Sequence, residues 1–336
     1  MGETEPLNLV FMGTPDLAAT VLRHLLAWPG GRVVAVYCQP DRPSGRGMSL
    51  KAPPVKKLAL EYNLPVLQPP NFKNPDDVAQ LGAFEPDYLL VAAYGLILPK
   101  SVLAIPKRMA LNVHTSLLPL HRGAAPIQRA IMNGDTETGV TIMAMEPGLD
   151  TGPVILQQAV SIGSDDTAQV MHDILADIGG KLLPRAIEGL ESKKLTCTPQ
   201  NDAIASYAAK LEKSDGRLDF SRTGAEIHAQ ARGVTPWPGA FGVLERPDED
   251  PLPVNILAGS PLASGVLPPT VSDLEQTPPG TVLPGLITNA VAVRCADGVY
   301  LISSLRPSGR KAMDAAAFMN GYLKGRGQAR FLPPPG

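Results

Sequence analysis

Along the first half of the chain, apolar residues fall in short continuous runs separated by helix-length stretches. Residues 7–12 read as a buried strand, and the turn Gly13-Thr14-Pro15-Asp16 leads into a helical spacing at Leu17, Val21, Leu22 and Leu25. Residues 32–38, 87–93, 109–114 and 140–145 predict further strands, and residues 52–62 and 167–190 predict helices. Strands alternating with helix-length segments imply an α/β, Rossmann-like parallel sheet with right-handed crossovers, which binds ligands off the ends of its strands.

Beyond residue 216 the pattern changes to Gly, Pro and short β-rich runs at 239–244, 254–257, 281–283, 290–294 and 299–305. That spacing predicts a small C-terminal β-barrel of the oligonucleotide-binding (OB-like) kind. A chain of 336 residues is long enough for two domains. The expected division is residues 1–192, a linker at 193–215 with a short helical piece, and residues 216–336. The Pro-rich stretch 247–284 reads as a long loop or insertion, and no internal repeat is found.

The strand at 109–114 carries the candidate chemistry. Met109, Leu111 and Val113 alternate with Asn112 and His114, so the two polar side chains share one face. Further on, Gly148-Leu149-Asp150-Thr151-Gly152 supplies a carboxylate from a loop. Asp150 suits the task of orienting the imidazole, and the Asn112 amide suits donation to an oxygen that turns negative during acyl transfer. A lone strand histidine is more often structural than catalytic; the company of Asn112 and Asp150 sets His114 apart. His24, His121, His172 and His228 lack such company and read as surface or packing residues.

Composition narrows the partners. With 44% hydrophobic and 18% charged residues, and a mean hydropathy of +0.03, the chain is globular in type. A net charge of −2 gives no bulk attraction for nucleic acid. Locally the balance differs: between residues 40 and 57, Arg42, Arg46, Lys51, Lys56 and Lys57 face Asp41 alone. After residue 300, Arg306, Arg310, Lys311, Lys324, Arg326 and Arg330 face Asp314 alone. This segregation suits a polyanionic partner. Gly45 and Gly47 beside Arg42 and Arg46 would let the first segment follow a phosphate backbone, although a solvated surface loop has the same composition.

Three scattered cysteines, Cys38, Cys197 and Cys295, and an acidic N-terminus unlike a signal or transit peptide imply a reducing cytoplasm. No apolar run approaches the roughly 20 residues needed to cross a bilayer. No Cys-x-x-Cys or His-x-x-x-His spacing points to a metal. The turn after the first strand lacks the Gly-x-Gly-x-x-Gly fingerprint, so a nicotinamide cofactor is not expected.

Longer runs then carry a resemblance. In the first half these are Gly13-Thr14-Pro15-Asp16, Gln39-Pro40-Asp41-Arg42-Pro43 with Gly45-Arg46-Gly47, Ala93-Tyr94-Gly95-Leu96-Ile97-Leu98-Pro99 and Asn112-Val113-His114. They continue in Ser116-Leu117-Leu118-Pro119, Arg122-Gly123-Ala124-Ala125-Pro126-Ile127-Gln128 and the Gly148 to Gly152 loop. In the second half they are Tyr207-Ala208-Ala209-Lys210-Leu211, Pro236-Trp237-Pro238 and Gly309-Arg310-Lys311-Ala312-Met313. Together, over nearly the whole length, they resemble the folate-dependent formyltransferases and, among these, the methionyl-tRNA formyltransferase family.

The resemblance implies formyl transfer, without a metal, from 10-formyltetrahydrofolate to the α-amine of methionine on initiator tRNA. On the matching positions it implies Asn112, His114 and Asp150 as the catalytic set. Ser116, Leu117, Leu118 and Pro119, with Tyr94, Gly95, Leu96 and Ile97, would border the folate. Arg42, Arg46, Lys210 and Lys311 would hold the tRNA. Leu17 stands where that family commonly has an aromatic residue near the methionine side chain. A monomer with no membrane attachment is expected. The catalytic motif alone would equally serve a formyltransferase acting on a nucleotide-sugar amine or on glycinamide ribonucleotide; those alternatives leave the Arg42 loop and the basic second domain unexplained.

Overall fold

A computed structural model of the chain describes residues 6–44, 49–262 and 274–335. The chain divides into two compact units, the first comprising Met1–Ile127, Glu137–Ser161 and Val170–Ala209, the second Gln128–Thr136, Ile162–Gln169 and Lys210–Gly336. Among the described residues no helix is long and apolar enough to cross a membrane.

Up to residue 209 the chain runs β1 (Leu7–Gly13), α1 (Asp16–Ala27), β2 (Gly31–Tyr37), the short strands β3 (Arg42–Ser44) and β4 (Ser49–Lys51), α2 (Pro54–Glu61), β5 (Val66–Leu67), α3 (Pro75–Gly82) and β6 (Tyr88–Ala92). It continues through α4 (Lys100–Leu103), β7 (Met109–His114), β8 (Arg122–Gly123), α5 (Pro126–Met132), β9 (Glu137–Ala144), β10 (Val154–Ser161), α6 (Ala168–Glu191) and β11 (Tyr207–Ala208). Seven strands form one sheet in the order β10-β9-β7-β6-β1-β2-β5.

β5, β2, β1, β6 and β7 are parallel neighbours, as the pattern predicts. β9, however, runs antiparallel to β7, and β10 antiparallel to β9. The loop 145–153 between β9 and β10 is shorter than the dozen or so residues a parallel crossover needs, so these two strands form a hairpin-like edge on the parallel sheet.

Both faces of the parallel strands are covered, which is why Leu9, Val10, Phe11 and Met12 are continuously apolar and fully buried. On one face Val10, Met12, Leu89, Val91 and Ala110 pack with Leu81 of α3 and Val102 of α4. α3 starts where Asn74 accepts a hydrogen bond from the Asp76 amide at 3.1 Å, with Pro75 in the first turn, a start whose missing N–H costs nothing. On the other face α6 approaches closely at Gly179, beside Val113, Val140 and Val21. A Cβ there would stand 2.7 Å from Val113 Cγ1, so the contact requires glycine.

The strand order reverses beside β1. From β1 the chain steps outward through β2 to β5, then returns to β6 on the other side of β1. Such a switch point opens a crevice off the carboxyl ends of the strands. Gly13-Thr14 and the Tyr94-Gly95 segment leave the sheet at that point, and His114 ends the adjoining strand β7.

In the second unit α7 (Gly224–Gly233) precedes β12 (Phe241–Arg246), β13 (Glu249–Pro261), β14 (Val291–Cys295), β15 (Gly298–Pro307), β16 (Met313–Asp314), α8 (Ala315–Phe318) and β17 (Arg330–Phe331). The strands make an antiparallel curled sheet in the order β14-β15-β13-β12-β17, with β16 on β15. The run expected as a strand at 281–283 is a short link: Thr281 bridges Arg330 of β17 and Val282 bridges Val293 of β14. It joins the two edge strands, as barrels of the OB-like kind do to remove exposed edges. Leu244, Val254, Ile256, Val293, Tyr300, Ile302 and Leu305 fill the interior, with Ile227 of α7, Phe318 of α8 and Phe331.

The stretch 247–284 is not a single loop, because its first part is the 13-residue strand β13. The prolines that suggested a loop sit where a ladder tolerates them. Pro251 and Pro253 precede Val254, where the ladder with β15 begins; on that side the Pro253 carbonyl accepts from the Ser308 amide at 2.9 Å, a role that needs no N–H, and Pro261 ends the strand. Residues 263–273 lie outside the described residues.

Gly179→Val is expected to lower the unfolding free energy by about 1–3 kcal/mol, the cost of overpacking a filled contact. Gly82→Ala, at a helical position with nothing within 4 Å of the new Cβ, is expected to raise it by about 0.4–1 kcal/mol. Urea denaturation of the two variants checks the opposite signs.

Candidate active site

On β7 the alternation works as the sequence implies. Ala110 joins the α3 and α4 cluster, Val113 faces α6, and Asn112 and His114 therefore project with Ala110. Asn112 pairs in register with Val91 of β6 and Met143 of β9, and His114 with Thr141 of β9, so both positions are fixed from the neighbouring strands.

Asp150 arrives from the loop after β9. That loop leaves the sheet beside Ala110, where the Met145 amide donates to the Ala110 carbonyl at 2.8 Å, and doubles back. Gly148 at φ 143° and Asp150 at φ 54° make the reversal. Asp is one of the few residues with a side chain that enters left-handed backbone readily. The carboxylate ends among three groups. Asn112 Nδ2 donates to Oδ1 at 3.4 Å, the Gly123 amide donates to Oδ2 at 2.9 Å, and His114 Nδ1 stands 3.7 Å from that same oxygen.

The other imidazole nitrogen settles the tautomer. His114 Nε2 lies 3.0 Å from the His121 carbonyl, and a carbonyl only accepts, so Nε2 carries the hydrogen. The ring is 5% exposed. Burial pushes its pKa below the ordinary histidine value, against the opposing pull of the Asp150 charge and the bond to the His121 carbonyl. Near pH 7 the ring is therefore neutral, with an unprotonated Nδ1 facing Asp150, which is the form that accepts a proton. His121 read as a surface or packing residue in the sequence, and its carbonyl, at a residue with φ 57°, sets the ring. A backbone oxygen has no signature in composition or spacing.

The Ser116 to Pro119 turn is tightly pinned. Ser116 Oγ donates to the Leu120 carbonyl at 2.6 Å, Thr141 Oγ1 donates to the Ser116 carbonyl at 2.7 Å, and Gln157 Nε2 donates to the Leu118 carbonyl at 2.8 Å. Ser116 and Leu118 are buried, Leu117 and Pro119 half-buried, and the Leu118–Pro119 peptide is cis. Thr141 and Gln157 were not singled out in the sequence, and they hold this turn. In the Tyr94 to Ile97 segment the Tyr94 ring is buried, its carbonyl accepts from Thr14 Oγ1 at 2.8 Å, and Gly95 turns the chain at φ 86°. Leu96 is half-buried and Ile97 is 96% exposed. The amides of Gly95, Leu96 and Ile97 make no hydrogen bond among the described residues.

Arg42 is exposed on β3, and its Nη2 donates to Gln39 Oε1 at 3.2 Å. Lys56 is paired with Asp41 at 2.9 Å. Arg46 lies outside the described residues. Lys210 and Lys311 are exposed residues of the second unit. Leu17 is 5% exposed and packs within the first unit from α1.

An acceptor imidazole, a carboxylate and an amide donor gathered in one place are groups able to carry acyl transfer, and comparison with known proteins supplies the family. Residues 7–187 match the Formyl transferase family and residues 210–323 its C-terminal domain; the chain belongs to the formyl transferases. It is 51% identical over 325 residues to the methionyl-tRNA formyltransferase of Nitratidesulfovibrio vulgaris (strain DP4), spanning 96% of this chain and 95% of that one. It is 45% identical over 318 residues to that of Hahella chejuensis, spanning 95% of each. Within the formyl transferases, the chain is a member of the methionyl-tRNA formyltransferase family. The N-formyltransferase from Helicobacter canadensis, solved with folinic acid and dTDP-3-aminofucose, shares the fold over 88% of this chain and 98% of that one, with a TM-score of 0.61 at 18% identity.

Because the folded His114 ring titrates below its ordinary value of 6.5, the unfolded chain binds the proton more readily. The neutral ring thus contributes stability that is present above about pH 6.5 and is lost as pH falls toward the folded value. His114→Gln is expected to lose less unfolding free energy than the parent between about pH 7.5 and 5.5, measured by urea titration at each pH.

Proposed function

We propose that this chain transfers the formyl group of 10-formyltetrahydrofolate to the α-amine of methionine esterified to initiator tRNA, giving N-formylmethionyl-tRNA. What carries this reading is relatedness to methionyl-tRNA formyltransferases over 96% of the chain, in a chain whose Asn112, His114 and Asp150 meet in one cluster. The folate supplies a formyl group already activated on its nitrogen. The amides of Gly95, Leu96 and Ile97, which make no hydrogen bond among the described residues, and the exposed Ile97 side chain suit the polar edge and apolar face of a pterin, and the pinned turn from Ser116 to Pro119 suits a fixed boundary.

Asn112 has two amide hydrogens. One is used on Asp150, and the other is available for the oxygen that becomes negative as the amine attacks the formyl carbon. A preorganised donor of this kind is worth about 3 kcal/mol. His114 Nδ1 takes the proton shed by the attacking nitrogen, and Asp150 stabilises the imidazolium so formed. The same Nδ1–H then delivers the proton to the departing nitrogen. The ester linkage makes the methionine amine less basic than a free amino acid's, so a neutral fraction exists near pH 7 to act as nucleophile.

In this reading Arg42, Arg46, Lys210 and Lys311 contact the tRNA as phosphate-binding cations, and the enzyme works as a monomer in the cytoplasm. The reading is tested by incubating the protein with 10-formyltetrahydrofolate and methionine-charged initiator tRNA, with a nucleotide-sugar amine as parallel acceptor. Formyl-methionine on the tRNA is the expected product; transfer to the sugar alone would overturn the acceptor. Asn112→Ala is expected to lower kcat by about 10²–10³-fold, and unchanged turnover in a stopped assay would remove its oxyanion role. Arg42→Ala is expected to raise KM for Met-tRNA and leave KM for the folate unchanged. An equal rise in both, in steady-state assays with each substrate varied in turn, contradicts its assignment to the tRNA.

A further inference from the structure

The stretch between the two family domains returns to the site. The N-terminal match ends at residue 187 and the C-terminal match begins at 210, and the sequence pattern reads 193–215 as a linker. Yet β11 within it pairs with β8, Tyr207 opposite Arg122 and Ala208 opposite Gly123. Gly123 is the residue whose amide holds the Asp150 carboxylate. Seven residues before β11, Gln200 reaches the same aspartate from behind. Its Nε2 donates to the Asp150 carbonyl at 2.8 Å and to the Gly152 carbonyl at 2.7 Å.

The glutamine is itself held. Arg122, 2% exposed, donates to Gln200 Oε1 from Nε at 3.0 Å and from Nη2 at 2.7 Å. The same guanidinium pairs with Asp202 Oδ1 at 2.7 Å. Both amide hydrogens of Gln200 and its oxygen are thus in use, and the only side chain of that size able to donate twice to carbonyls and accept from a guanidinium is glutamine. What it grips is a turn that needs gripping. Asp150 sits at φ 54°, a left-handed state that Asp enters more readily than most residues but that is still uncommon for a residue with a side chain, so a grip on its carbonyl helps to hold it.

We propose that Gln200, fixed by Arg122, is a positioning residue for Asp150: it clamps the backbone of the 150–152 turn so that the carboxylate stays between Asn112 and His114. This rests on the functional reading above, in which Asp150 stabilises the protonated His114. The clamp makes the inter-domain segment part of the active-site scaffold. Gln200→Glu isolates it, because a carboxylate still accepts from Arg122 but sets an oxygen against two carbonyls. Gln200→Ala removes both sides of the contact.

The test measures both variants in the full chain, alone and combined with Asp150→Asn. The expected result for Gln200→Glu is a kcat lowered by about ten- to a hundredfold, as for misplaced catalytic groups generally, with KM for Met-tRNA and for the folate held within about twofold. In the Asp150→Asn background the same substitution is expected to change kcat by less than about twofold, since interacting residues do not add. A parental kcat for folded Gln200→Glu, or the same fractional loss with and without Asp150→Asn, overturns the proposal. Hydrogen–deuterium exchange reads the clamp without turnover: Gln200→Glu is expected to speed exchange of the Gly123 amide. Unchanged exchange there overturns the clamp even if the parent formylates Met-tRNA. Faster exchange in Gln200→Glu than in the parent, where the parent forms no product, keeps the clamp and rejects the functional reading instead.

Discussion

The Asp150 carboxylate is the point on which the site turns. It collects the Asn112 amide, the Gly123 backbone N–H and the His114 ring within 2.9–3.7 Å, and it does so from left-handed backbone at a loop tip. An ionised carboxylate in this position is stabilised by two donors and faces the lone pair of a neutral imidazole. That arrangement is uncomfortable at rest and becomes favourable once the ring is protonated, because a charged hydrogen bond replaces two facing acceptors. In the proposed reaction such a site stabilises the charge that appears as the ring is protonated more than the state before it.

The sheet topology makes this meeting possible. A purely parallel sheet would send the chain after β9 into a crossover helix. Instead β9 runs against β7, its end lies beside Ala110, and the following loop doubles back toward Asn112 and His114. The face of β7 opposite these side chains is closed by α6 through the glycine contact at 179. Burial on that side and polar chemistry on the other follow from one strand with period two.

The second unit solves a different problem with the same economy of contacts. A curled antiparallel sheet leaves two edges, and two residues, Thr281 and Val282, link them. Pro251 and Pro253 in β13 come before its ladder with β15 begins, and Pro253 is bonded to the Ser308 amide through its carbonyl, which its missing N–H does not affect. The unit's interior is apolar, and although Arg246 and Arg294 are buried, Lys210, Lys311 and Arg306 are exposed, which leaves their charge available to solvent.

What the sequence determined by itself was whatever depends on neighbours along the chain. The strands at 7–12, 32–38, 87–93, 109–114 and 140–145, the helices after residues 16, 52 and 167, the shared face of Asn112 and His114, and the candidate carboxylate at 150 were legible from periodicity and turn residues, whereas β10, α3 and α5 were not; the motif runs carried the family. Tertiary structure alone decided the direction of β9 and β10, the His121 carbonyl that sets the imidazole tautomer, the Gly123 amide on Asp150, and the Arg122–Gln200 contact across 78 residues of sequence. It also turned a proline-rich stretch into a strand. Backbone donors and acceptors are the same at every residue, so which of them meets a side chain from elsewhere in the chain is settled only when the fold brings the two together.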